Sequence, residues 1–90
     1  MNLEIGLKMT GVPFDKAQLR MDTIKTKIDE LQSGALNYIK YDRTGLIHNG
    51  DINFGVLLTG LDVPESITKL TSLKNKIEGT GIEILDYKLL

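Results

Sequence analysis

A chain of 90 residues with a formal charge of −1 has room for one small domain and too little positive excess to act mainly by neutralising phosphates. This excludes a second domain and a nucleic-acid partner. Hydrophobic residues at 41% and charged residues at 26% are ordinary globular usage, so neither disorder nor a fibrous chain is expected. Without cysteine, disulfides, thiolate metal sites and thiol catalysis are excluded as well.

The N-terminal Met1-Asn2-Leu3-Glu4 lacks the basic flank of a signal peptide, and no apolar run approaches the length of a membrane span. The expected location is the cytoplasm, with no membrane contact. Nine lysines against two arginines, with ten isoleucines, point to an AT-rich microbial or viral genome.

In chain order, Leu3, Ile5, Leu7 and Met9 alternate with Glu4, Gly6 and Lys8, the period of a half-buried strand. Thr10-Gly11 then punctuates the chain. A helix follows, with Asp15 as its N-cap; Ala17, Met21, Ile24, Ile28 and Leu31 form one apolar stripe, and Ser33-Gly34 ends it. A second strand runs from Leu36 to Tyr41. Asp42-Arg43-Thr44-Gly45 reads as a turn with glycine in the left-handed position, and Asn49-Gly50 as a second turn or a bulge. One of the two makes a hairpin, and the sequence leaves the choice open. Leu46-Ile47-His48 accordingly extends the hairpin or belongs to a loop.

The second half repeats the order. Ile52, Phe54, Val56 and Leu58 alternate as a third strand, and Thr59-Gly60 punctuates. Pro64 suits the first turn of a second helix, whose stripe is Ile67, Leu70, Leu73 and Ile77 and which Gly79-Thr80-Gly81 closes. A fourth strand spans Ile82 to Leu89. Residues 2–41 and 51–90 align without a gap, and eight positions are identical: Gly6, Thr10, Gly11, Lys25, Lys27, Ile28, Leu36 and Tyr38 recur 49 residues later. The apolar pattern recurs with them, so the chain reads as two β-α-β repeats joined by a hairpin connection over 42–50 within one domain.

The order β-α-β-β-α-β, with one apolar stripe per helix, predicts an α+β fold: a ferredoxin-like two-layer sandwich with both helices on one face of an antiparallel sheet. Right-handed crossovers then give the strand order 4-1-3-2, with the first and third strands central. If the alternating apolar residues face the helices, strict parity puts Glu4, Gly6, Lys8, Ile39, Tyr41, Asn53, Gly55, Leu57, Ile84, Asp86 and Lys88 on the open face. Tyr38 and Tyr87 point inward by the same parity.

Gly6 and Gly55 fall mid-strand near the pseudo-two-fold axis, where glycine marks twist, a bulge or the close approach of another group. Flanked by Ile39, Tyr41, Leu57 and Ile84, they leave a partly apolar surface suited to a partner. The two Thr-Gly pairs lie at opposite ends of the sheet, so they form no joint anion site. The lysines repeated in both helices are offset by Asp22, Asp29, Glu30, Glu65 and Glu78, a solvated face. His48, the single histidine, reads as a surface residue without companions for a metal.

Gly11-Val12-Pro13-Phe14 resembles the Gly-Val-x-Phe phosphate loop of the acylphosphatases, a family of this size and element order. Asp15 stands where that family carries its phosphate-gripping arginine and would repel an anion, which excludes the activity. Domains that read RNA on such a sheet stack bases on central-strand aromatics; here Phe54 is inward and no platform remains.

The sequence therefore presents no paired acid and base, no activated nucleophile and no cofactor motif. The expected function is non-enzymatic. It is a small interaction or assembly module, of the kind found among bacterial or phage accessory and inhibitor proteins, binding a protein partner or a second copy of itself through the open face or the sheet edges. The alternative is a regulatory domain with a metabolite at a homodimer interface.

Overall fold

The computed structural model describes residues 2–30, 34–44, 48–60, 62–77 and 79–90. Its elements are β1 (Leu3–Pro13), a 3-10 turn (Phe14–Lys16), α1 (Ala17–Asp29), β2 (Gly34–Arg43), β3 (Asn49–Leu58), α2 (Val63–Ile77) and β4 (Ile82–Leu89). The four strands form one sheet in the order β2-β3-β1-β4, with every neighbouring pair antiparallel. This is the order read from the sequence, taken from the opposite edge. The class is α+β.

The alternation in the central strands does what the period demands. Leu3, Ile5, Leu7 and Met9 of β1 and Ile52, Phe54, Val56 and Leu58 of β3 all turn to one side and are buried. Ala17, Ile24 and Ile28 of α1 complete that core, and Leu70, Leu73 and Ile77 of α2 pack against it half-buried. Both helices therefore cover the same face of the sheet. Neither is long and apolar enough to cross a membrane.

The helix ends differ from each other and, in part, from expectation. Asp15 does not cap α1: it sits within the 3-10 turn, and no side-chain capping bond is made at either N-terminus there. At α2 the Glu65 N–H donates to Asp62 Oδ1 at 2.7 Å and the Asp62 N–H to Glu65 Oε1 at 3.2 Å, a reciprocal capping box. The stripe of α2 is also rotated by one residue. Ser66, 2% exposed, takes the innermost place and Ile67 is 61% exposed. Positions 66, 70, 73 and 77 are spaced four, three and four apart and stay within one narrow arc of a 3.6-residue helix, whereas 67 lies about 60° off it. The Ser66 hydroxyl donates to Asp62 O at 2.9 Å, so its burial leaves no unsatisfied group.

Two punctuation points read from the sequence lie within strands. Thr10-Gly11 is a bulge inside β1: the ladder with β3 breaks after Met9 and resumes with Val12 opposite Gly50 and Pro13 opposite Asn49. Gly11 supplies the positive φ, 67°, which the bulge uses. Asn49-Gly50 opens β3 and pairs with β2 as well, Arg43 standing opposite Gly50 and Asp42 opposite Asp51. The connection between halves therefore runs from Thr44 to His48, and Thr44 N–H donates to Asn49 O at 3.1 Å across its mouth. Gly45, Leu46 and Ile47 of that connection, and Leu31 and Ser33 after α1, lie outside the described residues.

These extensions make a long ribbon, and the molecule measures 44 × 22 × 19 Å. Its far end has its own fastening. Tyr41 donates its hydroxyl to Val12 O at 2.7 Å, Phe14 N–H donates to His48 O at 2.7 Å, and the Arg43 guanidinium lies 5.0 Å from the Phe14 ring centre.

Candidate functional site

The face of the sheet away from the helices is built by the residues between the buried ones. On the central strands these are Glu4, Gly6 and Lys8 and, opposite them, Leu57, Gly55 and Asn53. Gly6 and Gly55 stand directly across from each other. On β4, Asp86 is the neighbour of Gly6 and Lys88 of Glu4. These eight residues share the face expected of them.

Ile39, Tyr41 and Ile84 do not. They pair with Phe54, Ile52 and Leu7 and pack against the core. The cause is a pair of bulges. The β2–β3 register shifts between Leu36 and Tyr38, and the β1–β4 register between Gly6 and Leu7, where Leu85 is the extra residue. One inserted residue reverses which side chains face inward from there on. In β2 it turns Ile39 and Tyr41 inward and Tyr38 outward, so the inward placement of Tyr38 is overturned too. In β4 it turns Ile82 and Ile84 to the same side as Tyr87 and Leu89.

The open face is consequently more polar than expected, Leu57 and Tyr38 being its large apolar side chains. Lys8 Nζ lies 3.6 Å from Asp51 Oδ2, Lys40 Nζ lies 3.6 Å from Asp42 Oδ2, and the Asn53 amide donates to Asp42 Oδ2 at 2.8 Å. Asn37, the extra residue of β2, donates to Glu4 Oε1 at 3.2 Å. The exposed pairs among these contribute little stability individually. The Tyr38 ring lies against Gly55, and the Asp86 carboxylate sits against Gly6. Beside them is an open depression of about 440 Å³, lined by Glu4, Gly6, Asn37, Tyr38, Asp86 and Lys88.

The repeat separates at these positions. Leu36 is half-buried on the core side while its counterpart Leu85 is the exposed bulge residue, and Tyr38 is on the open face while Tyr87 pairs with Ile5 on the other. Thr10-Gly11 lies within a strand, whereas Thr59-Gly60 follows one. The two Thr-Gly pairs do lie at opposite ends of the sheet, since Met9 meets Ile52 and Leu58 meets Leu3. His48 is exposed, and its Nδ1 accepts from Arg43 Nη2 at 3.3 Å. Its neighbour Asn49 lies six residues along β3 from Gly55, about 20 Å from the Tyr38 ring.

Exposed apolar side chains gather elsewhere, on the free edge of the sheet. Leu85, Tyr87 and Leu89 of β4 are exposed, as is Leu90 beyond it; Phe14, Leu19 of α1 and Val63 and Ile67 of α2 are exposed as well. Strict alternation foretold neither the concentration at β4 nor the Lys40 and Asp42 side chains on the open face, because both depend on where the bulges fall. Comparison of the chain with protein-family models, with curated proteins and with solved structures finds no match in any of the three.

Proposed function

We propose that the chain is a small non-enzymatic interaction or assembly module that binds another polypeptide through a sheet edge, with the open face as an accessory surface. The observation that carries this is the β4 edge. It is a strand with unpaired backbone groups on one side and with Leu85 and Tyr87 at 53% and 61% exposure. Edges of this kind are what an added strand pairs with. The architecture that supports it is the ferredoxin-like β-α-β-β-α-β arrangement, two β-α-β units of similar sequence pattern, in which β4 is left at an edge. A bacterial or phage accessory protein working in the cytoplasm fits a cysteine-free chain of this size.

The test is affinity capture with the tagged protein, run beside Leu85→Asp at the edge and Lys40→Glu on the open face, with light scattering on each. A retained polypeptide, foreign or a second copy, is expected with the wild type and lost with Leu85→Asp. A wild type that stays monomeric and retains nothing beyond what an unrelated protein retains contradicts the proposal.

One observation favours a second reading, a regulatory domain that holds a metabolite at a homodimer interface. The depression over Gly6 brings the carboxylates of Glu4 and Asp86 and the Lys88 ammonium to one glycine floor, an arrangement that suits a zwitterion. Thermal shift against a panel of amino acids separates the readings, since a ligand of the native state raises the melting temperature.

A further inference from the structure

Resting on the reading of the chain as an interaction module, we infer that the occupant of the β4 edge is a second copy of the same chain. The two β4 strands pair antiparallel about a two-fold axis at the Leu85–Asp86 peptide.

The choice of edge follows from exposure. The free edges are β2 and β4. The large exposed hydrophobic on β2 is Tyr38, already engaged over Gly55. On β4, Leu85 has no partner in the ladder, and Tyr87 and Leu89 stay exposed although they pair with Ile5 and Leu3 of β1. Strands that must avoid association carry proline, inward charges, several lysines or a bulge at such an edge, and of these β4 has the bulge, at Leu85. β4 carries one basic residue, Lys88, and no proline.

The choice of partner follows from the pattern that the bulge creates. It places Ile82, Ile84, Tyr87 and Leu89 on the helix side and Glu83, Asp86 and Lys88 on the open side. Folded back on itself about the centre, this strand is self-complementary on either side of the bulge, where Leu85 of one copy meets Asp86 of the other. Ile82 comes opposite Leu89 and Ile84 opposite Tyr87 on one side, while Glu83 comes opposite Lys88 on the other, each twice by symmetry. A slip by one residue would set apolar side chains against charged ones.

The charges extend the match inward. Within one chain Lys8 already stands beside Glu83 and Glu4 beside Lys88. Across the join the row reads Lys8, Glu83, then Lys88 and Glu4 of the second copy, with no two like charges adjacent. Above the sheet, the stripe of α2 turned to the core sets Val63 and Ile67 on one flank of the helix. The right-handed β3-α2-β4 crossover directs that flank to the free side of β4, the side on which a second copy would sit.

The test is charge reversal read by sedimentation velocity. The wild type should show a concentration-dependent dimer. Lys88→Glu and Glu83→Lys each set like charges opposite one another at two symmetric places, and each should weaken the dimer about tenfold or more. The double variant restores both contacts between copies and should restore the dimer. Inside each chain it leaves Lys8 beside a lysine and Glu4 beside a glutamate, so its melting temperature should stay below the wild type. That split between association and stability separates a contact between copies from a merely structural role.

The cysteine-free background permits a second measurement. Glu83→Cys with Lys88→Cys should form a covalent dimer on oxidation, and Glu83→Cys alone should not. Both positions are exposed, so neither change disturbs the core. A dimer indifferent to every reversal, or a strict monomer, overturns the inference. The interaction reading falls with it only if the monomer also retains no foreign polypeptide.

Discussion

The ring of Tyr38 lies so close to Gly55 that a Cβ on the glycine would stand 2.4 Å from Tyr38 Cε1. The pair exists because the bulge at Asn37 turns Tyr38 onto the open face opposite Gly55. A missing side chain on a central strand is filled by an aromatic ring from the neighbouring one. Gly6, across from Gly55, is covered differently, by the mobile end of Asp86, whose Oδ1 would lie 2.4 Å from an added Cβ.

That difference predicts unequal costs. Gly55→Ala forces a rigid ring off the sheet and should destabilise by about 1–3 kcal/mol, whereas Gly6→Ala displaces a flexible carboxylate and should cost less than about 1 kcal/mol. Urea unfolding of both variants checks the order. Tyr38→Ala combined with Gly55→Ala should be less costly than the sum of the two, because the clash is removed with the ring.

Gly50 is more constrained still. A Cβ there would stand 2.4 Å from the backbone oxygen of Asp42 and 2.7 Å from Tyr41 Cζ, and backbone cannot step aside as a side chain does. Gly50→Ala should lose about 2–4 kcal/mol and disturb the β2–β3 pairing. Amide exchange at Asp42, Arg43 and Asp51 would report the loss directly.

One hydroxyl contributes to the fastening at the far end of the ribbon. Tyr41→Phe removes the bond to Val12 O and should cost about 1 kcal/mol. Because the ring remains against Phe14 at a centroid distance of 6.2 Å, the loss should be smaller than for Tyr41→Ala by about 2 kcal/mol.

At α2, replacing Asp62 or Glu65 by alanine breaks the reciprocal cap and should cost about 1 kcal/mol each, with the pair costing less than the sum. Ile67→Ala, in dilute protein, should change stability by no more than about 0.5 kcal/mol. Ile52→Ala, at a position with 0% exposure, should cost about 2–5 kcal/mol. Thermal unfolding of the four single variants and the Asp62/Glu65 pair checks both contrasts.

The order of strands and the membership of the core were legible in the sequence because β1 and β3 alternate without interruption on the core-facing side, from Leu3 to Met9 and from Ile52 to Leu58. The edge strands were not legible to the same depth. Alternation carries no mark of an inserted residue: Leu36-Asn37-Tyr38-Ile39 and Ile84-Leu85-Asp86-Tyr87 read as regular strand. The bulges become visible only against the partners Val56, Gly55 and Gly6.

The consequence for the candidate site is large. Ile39, Tyr41 and Ile84 leave the open face, Tyr38 joins it, and the apolar character moves from the face to the β4 edge. Ser66 shows the same limit in a helix, since a small polar residue with a local acceptor in Asp62 can occupy the place that hydropathy assigns to Ile67. Thr10-Gly11 shows it in a turn signal, because a left-handed glycine serves a bulge as well as a strand end.

The central claim is that β4 is the surface through which this chain associates. Amide hydrogen exchange followed as a function of protein concentration tests it most directly. The account predicts that amides of Ile82 to Leu89 become more protected as concentration rises while those of the other edge, Gly34 to Arg43, do not change. Protection that rises equally at both edges, or that is independent of concentration at β4, would contradict it.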